Sequence, residues 1–220
     1  MIVTALDMYT ALQDGINKVM TSSIDYPEGE RLLNKAMMEY VKNHYYSEEE
    51  TEKRIDDLRT LRAESIVSPS SLNTFVLPYS ETSNPIGYLF MLTVSFKLQY
   101  VNNDCGLTGE SDWLPSKVLR TNFKNVIERD PYNRPTDLRL YYEIVGNNAI
   151  LHTGTSSYGI AARMEYLRYP KSISLTIPQD CELPVHARQE IVDIAVRKYL
   201  EQVTDPRYQT NLNENKNVIT

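Results

Sequence analysis

The hydrophobic period of this chain changes twice, and that limits what it can fold into. Apolar residues recur every three or four positions near both ends, while the middle alternates with period two. The first pattern lines one face of a helix and the second one face of a strand. Leu6, Tyr9, Leu12, Ile16 and Val19 form a helical stripe behind a capping box of Thr4 and Asp7. A second stripe holds Leu32, Leu33, Ala36, Met37, Tyr40 and Val41. Asp25 caps it, Pro27 suits its first turn, and it should run to about Tyr46. Ser47 and Glu50 open a third, charged helix to about Arg62, whose apolar face is only Ile55, Leu58 and Leu61. After "CELP" comes the last stripe: Ile191, Val192, Ala195, Val196, Tyr199, Leu200 and Val203, ended by Asp205-Pro206.

The middle reads as strands from about Ser65. "NTFVL" stops at Pro78, and "YLFMLTVSFKLQY" is the strongest strand signal. Within it Val94, Phe96, Leu98 and Tyr100 alternate with Thr93, Ser95, Lys97 and Gln99, the mark of a half-buried strand. "RLYYEIVGNNAILHTG" reads as a hairpin turned by "GNN", "ARMEYLRYP" alternates again, and "SISLTIP" adds another strand. One helical piece, "TNFKNVIERD", has Thr121 as its cap. The expected fold class is α+β: N-terminal helices and a C-terminal helix in a small bundle, with a sandwich- or barrel-like β-rich insertion. Residues 1–63 and 184–204 make the bundle. Residues 64–183 make the insertion, with its short helix near 121–129, and residues 205–220 an extended polar tail.

Composition narrows the function. A formal charge of −6 and the absence of a Lys/Arg cluster argue against gathering a nucleic-acid backbone. No apolar run approaches the roughly 18–20 residues of a membrane span, and the first residues lack the pattern of a secretory signal. Cys105 and Cys181 lack ligand-like spacing, and of the two readings, a disulfide between them or free thiols in a reducing compartment, the second is favoured. Tyrosine is abundant, 16 against 4 Phe and 1 Trp, a composition that suits either interfaces or strands.

The stretch "HARQEIVD" sets His186 and Glu190 at the i, i+4 spacing of a zinc-protease helix, with Asp193 beyond. A zinc site needs a third protein ligand, and His44 and His152 fall in other elements without a second pairing motif. Acidic residues early in a helix also complement its dipole, so a packed helix start is the favoured reading. There is no G-x-S-x-G; "TGTSSYG" reads as a flexible hairpin tip, and "CGLTGES" lacks the lysine and helix of a phosphate loop. The expectation is a protein that is not an enzyme and has no cofactor or metal. In "EYLRYPKS", Tyr166, Arg168 and Tyr169 could form an interface patch, against a slightly favoured reading in which Met164, Tyr166 and Arg168 share one strand face.

Several stretches, taken in order, resemble the head–tail connector (ring or adaptor) proteins of crAss-like and related Bacteroidetes tailed phages. They are "LDMYTALQDGINK", "ERLLNKAMMEYV", Leu-Pro ahead of "YLFMLTVSFKL", "NVIERDPYNRP", "LRLYYEIVGNNAILH", "MEYLRYPKSISLT" and "CELPVHARQEIVDIAVRKYLEQVTDPRYQT". They cover most of the chain, and specificity lies in the series. One departure is "YSETSNPIG", which intervenes where the relatives' long strand begins soon after Leu-Pro. The resemblance implies a structural subunit that assembles in the host cytoplasm into a ring, often twelvefold, within the virion between portal and tail. Its implied partners are copies of itself, the portal protein, neighbouring ring and tail proteins, and viral DNA passing through the channel without sequence-specific contact. The tail would order against an adjacent subunit, with Arg207 and Tyr208 as anchors. Two other classes compete: a tail-associated carbohydrate- or receptor-binding module, and a metal-dependent hydrolase using His186.

Overall fold

The computed structural model describes residues 2–17, 24–46, 57–78, 87–101, 109–119, 127, 130 and 132–203. The fold is α+β, with helices from both ends of the chain and a β-rich body inserted between them in sequence. The chain divides into two compact units, residues 1–61 with 170–220, and residues 62–169.

The helical unit holds α1 (Ala5–Asn17), α2 (Tyr26–Tyr46) and α3 (Val185–Val203). The capping box forms at α1: the Thr4 N–H donates to Asp7 Oδ2 at 2.9 Å, and the Asp7 N–H to Thr4 Oγ1 at 3.1 Å. The buried line of α1 is Ala5, Met8, Leu12 and Ile16, so Leu6, expected inside, sits one position off that line and is 56% exposed. All six stripe residues of α2 are buried, as are Ile191, Val192, Ala195, Tyr199 and Leu200 of α3. Gly15 lets α1 close on α3, since a Cβ there would stand 2.7 Å from Val196 Cγ2.

One expected element lies mostly outside the described residues and another comes out differently. Of the expected charged helix, residues 47–56 lie outside the described residues, Asp57 is helical, and Arg59–Leu61 form a 3-10 turn. "SISLTIP" is no strand; it is a turn held by one bridge, Ser174 to Gln179. Its backbone is satisfied by α2 instead of by a sheet. Asn34 donates from Nδ2 to the Ile173 carbonyl at 2.9 Å and accepts the Ile173 N–H at 2.8 Å. Glu30 Oε1 accepts the N–H groups of Leu175 and Thr176.

The β unit is a nearly closed, barrel-like sheet. Its strands are β1 (Arg62–Val67), β2 (Pro69–Ser71), β3 (Thr74–Val76), β4 (Tyr88–Tyr100), β5 (Gly109–Glu110), β6 (Leu114–Val118), β7 (Leu140–Val145), β8 (Asn148–His152) and β9 (Ser157–Arg168). They pair in the order β1-β9-β4-β6-β7-β8-β3-β2, with β5 beside β4. The two ends of this path, β1 and β2, are separated only by Ser68 in the chain, which brings the sheet's edges together. All pairs are antiparallel except β6 with β7. A parallel pair needs a long crossover, and the chain between Val118 and Leu140 supplies it. Apart from Ile127, the helix expected near 121–129 lies outside the described residues.

The period-two pattern of β4 is realised: Val94, Phe96 and Leu98 are buried with Phe75, Tyr142, Leu151, Ala162 and Met164 in one interior. Phe96 is its centre, with ring centroids 5.1 Å from Phe75 and 6.3 Å from Tyr142. Gly146, at φ 59°, turns the β7–β8 hairpin as "GNN" suggested. Strand β1 begins at Arg62, where the charged helix was expected to end, ahead of the expected start near Ser65. It pairs along β9, and ion pairs Arg62–Glu165 (2.5 Å) and Glu64–Arg163 (3.1 Å) cross that pairing.

Candidate functional site

The histidines decide first whether the chain carries a reactive centre. His186 lies in the first turn of α3, after Pro184, and its Nε2 is 2.5 Å from Oδ1 of Asp57. His44, in the last turn of α2, places Nε2 3.8 Å from the other oxygen, Oδ2, while its Nδ1 donates to the Tyr40 carbonyl at 3.0 Å. Tyr40 stacks on His44 with centroids 3.9 Å apart. Burial, reinforced by the charges of Asp57 and Glu190, pushes the Tyr40 hydroxyl well above its usual range.

Chemically, this is one buried carboxylate hydrogen-bonded to an imidazole of one helix, with an imidazole of a second helix near its other oxygen. The histidines address opposite oxygens rather than one point in space, whereas a catalytic zinc needs converging ligands and an open position. Glu190, the residue at metal-helix spacing, is exposed, and His186 pairs with Asp57 instead. Among the described residues no group of three His, Cys, Asp or Glu is placed to hold a metal ion. Cys181 is free and buried, and burial raises its thiol's pKa, away from thiolate character. Cys105 lies outside the described residues.

The serine-rich "TGTSSYG" is braced rather than loose. Asp137 Oδ1 accepts the Ser157 hydroxyl at 2.6 Å and the Thr153 hydroxyl at 3.4 Å. Asp137 and Thr153 border a cleft of about 640 Å³ that also takes in Asn73, Arg134 and His152. In "CGLTGES", Ser111 supports the sheet by accepting the Leu98 N–H at 2.8 Å.

The expected interface trio does not form an open patch. Tyr166 is 6% exposed and belongs to the interior of the β unit, so its ring is already covered. Arg168 donates from Nη1 to the Tyr169 carbonyl at 3.2 Å, and both side chains are half-buried. Arg207 and Tyr208 lie outside the described residues. Exposed apolar side chains occur elsewhere. Tyr132 and Leu138 are each 83% exposed, more than any other large apolar side chain among the described residues. Their turn signals, "DPYN" and "TDL", are legible in the sequence; their outward direction is not, because no periodicity governs a loop.

No helix of the described residues is long and apolar enough to cross a membrane. No protein-family model matches the chain, and no curated protein matches it.

Proposed function

We propose that this chain is a structural subunit of a phage head-to-tail connector, assembling as a ring between portal and tail and forming part of the DNA channel. The ring is twelvefold, as is common among the proteins the chain resembles. The observation that supports it most is the ordered series of resembling stretches, from "LDMYTALQDGINK" to "DPRYQT", in a chain whose helical ends enclose a β-rich body in sequence. The chain's net charge of −6 is consistent with a channel wall that repels DNA and lets it slide.

Native mass spectrometry of the full chain, alone and mixed with the portal protein of the same genome, tests this. A twelvefold species, free or formed on the portal, is expected. A chain that neither forms rings nor joins the portal or any tail complex would refute it. The cleft beside Arg134 and Asp137 favours, as a second reading, a tail-associated receptor- or carbohydrate-binding module. Among the described residues no Phe, Tyr or Trp lines that cleft to offer a sugar a ring to stack on; binding on a glycan array would promote this reading.

A further inference from the structure

Residues 132–139 of the β unit form a loop that is held firmly yet turns its large apolar side chains outward. The Asp130 carboxylate accepts the Tyr132 N–H at 2.9 Å and the Asn133 amide at 2.6 Å. The Asp130 carbonyl takes the N–H groups of Asn133 and Arg134. Thr136 and Arg139 exchange two backbone hydrogen bonds at 3.1 Å, and the Arg139 guanidinium donates to the Tyr132 carbonyl. Asp137 is fixed by Ser157 and Thr153. A loop so braced has given up its conformational entropy before binding, yet it leaves Tyr132 and Leu138 in water. An ordered, exposed tyrosine beside arginines is the composition of an interface hot spot, and Leu138 adds apolar area next to it. Asp130 serves the loop's own hydrogen bonds and Asp137 those from Ser157 and Thr153, while no hydrogen bond or ion pair of the Arg134 side chain is found among the described residues.

The helical unit carries a complementary feature. Ile2, Val185, His186 and Gln189 line a mainly apolar groove of about 410 Å³ at the start of α3. Glu190 and Asp193 stand exposed on the next turn of that helix. Gln189 donates to Asp193 at 2.9 Å, which ties the acidic side to the groove wall.

We propose that the 132–139 loop of one copy docks into the α3 groove of a second copy. Tyr132 and Leu138 enter the groove, and Arg134 and Arg139 face Glu190 and Asp193. The contact joins two different surfaces, so it is heterologous, the type that closes into a ring when the rotation per subunit allows it. It rests on the ring-subunit reading for its partner, a second copy of this chain.

The test uses the full chain in sedimentation and mass measurements. Tyr132→Ser with Leu138→Ser removes the knob, and Val185→Asp spoils the groove. Each variant alone is expected to weaken self-association at least about 30-fold, the effect of losing one hot-spot residue of about 2 kcal/mol. Mixed, the two variants are expected to form a one-to-one dimer and nothing larger, because together they supply one intact loop and one intact groove. A knob variant that assembles like the wild type overturns the inference, as does a mixture that stays monomeric. Circular dichroism spectra matching the wild type keep misfolding from mimicking the result; if Val185→Asp misfolds, Glu190→Lys with Asp193→Lys takes its place as the groove variant. A wild type that stays monomeric in solution but joins the portal singly overturns this contact and leaves the connector reading standing. Self-association through the loop without any portal or tail partner does the reverse.

Discussion

Oδ1 of Asp57 and Nε2 of His186 lie 2.5 Å apart, joining the segment that enters β1 to the first turn of α3. The carboxylate is 8% exposed and the imidazole 58%, so the two ends of the pair are not equivalent. Asp57→Ala removes the buried acceptor of the His186 imidazole and is expected to cost about 1–3 kcal/mol in urea unfolding. His186→Ala removes a partly solvated group whose loss water partly makes good, and is expected to cost about 1 kcal/mol or less. A chelator is expected to leave the melting temperature unmoved; a shift would point to a metal and revive the hydrolase reading.

Glu30 gives the helical unit an acid-sensitive element. The N–H of Leu175, followed by that of Thr176, holds its carboxyl below the usual carboxylate range. A depressed folded pKa contributes stability that is complete above the unfolded value and lost as pH falls through the folded one. Glu30→Gln is therefore expected to be less stable than the wild type at neutral pH, and the two denaturation curves to converge as pH falls below the usual carboxylate range. Parallel curves across that range would mean that the 173–176 turn is not held by the charge.

Gly15 and Val196 share one narrow contact between α1 and α3. Gly15→Val adds volume where the nearest methyl leaves no room, and should cost about 1–3 kcal/mol despite better helix propensity. Val196→Ala in the same chain should restore much of that loss. A double-mutant cycle reads the coupling directly, and additive costs would count against the close approach.

The legible parts of this fold are those where local period and packing agree. The α2 stripe, β4 and the "GNN" hairpin were readable because each buries the face its own sequence marks. The opposite case is β1. Its first residue, Arg62, reads as the end of a charged helix and the strand signal begins only near Ser65, whereas pairing with the distant β9 starts at Arg62. Ile173 to Gln179 has strand composition, but side chains of α2 answer its backbone. The candidate sites depend still more on distance in sequence. Asp57 reaches His186 across 129 positions, and no spacing rule connects them. Tyr166 was readable as half of a two-way choice, and the interior of the β unit took it.

Phe96 and Leu138 separate folding from docking. Phe96 is fully buried between Phe75 and Tyr142, so Phe96→Ala is expected to cost about 3–5 kcal/mol of stability. Leu138 touches water over most of its surface, and Leu138→Ser should change stability by no more than about 0.5 kcal/mol. If the loop serves a partner, the harmless substitution in the monomer becomes the harmful one in the assembly. Thermal unfolding of dilute protein and assembly at high concentration should then rank these two variants in opposite order per unit of lost stability. A Leu138→Ser chain that unfolds early as a dilute monomer would instead place that side chain in a structural role.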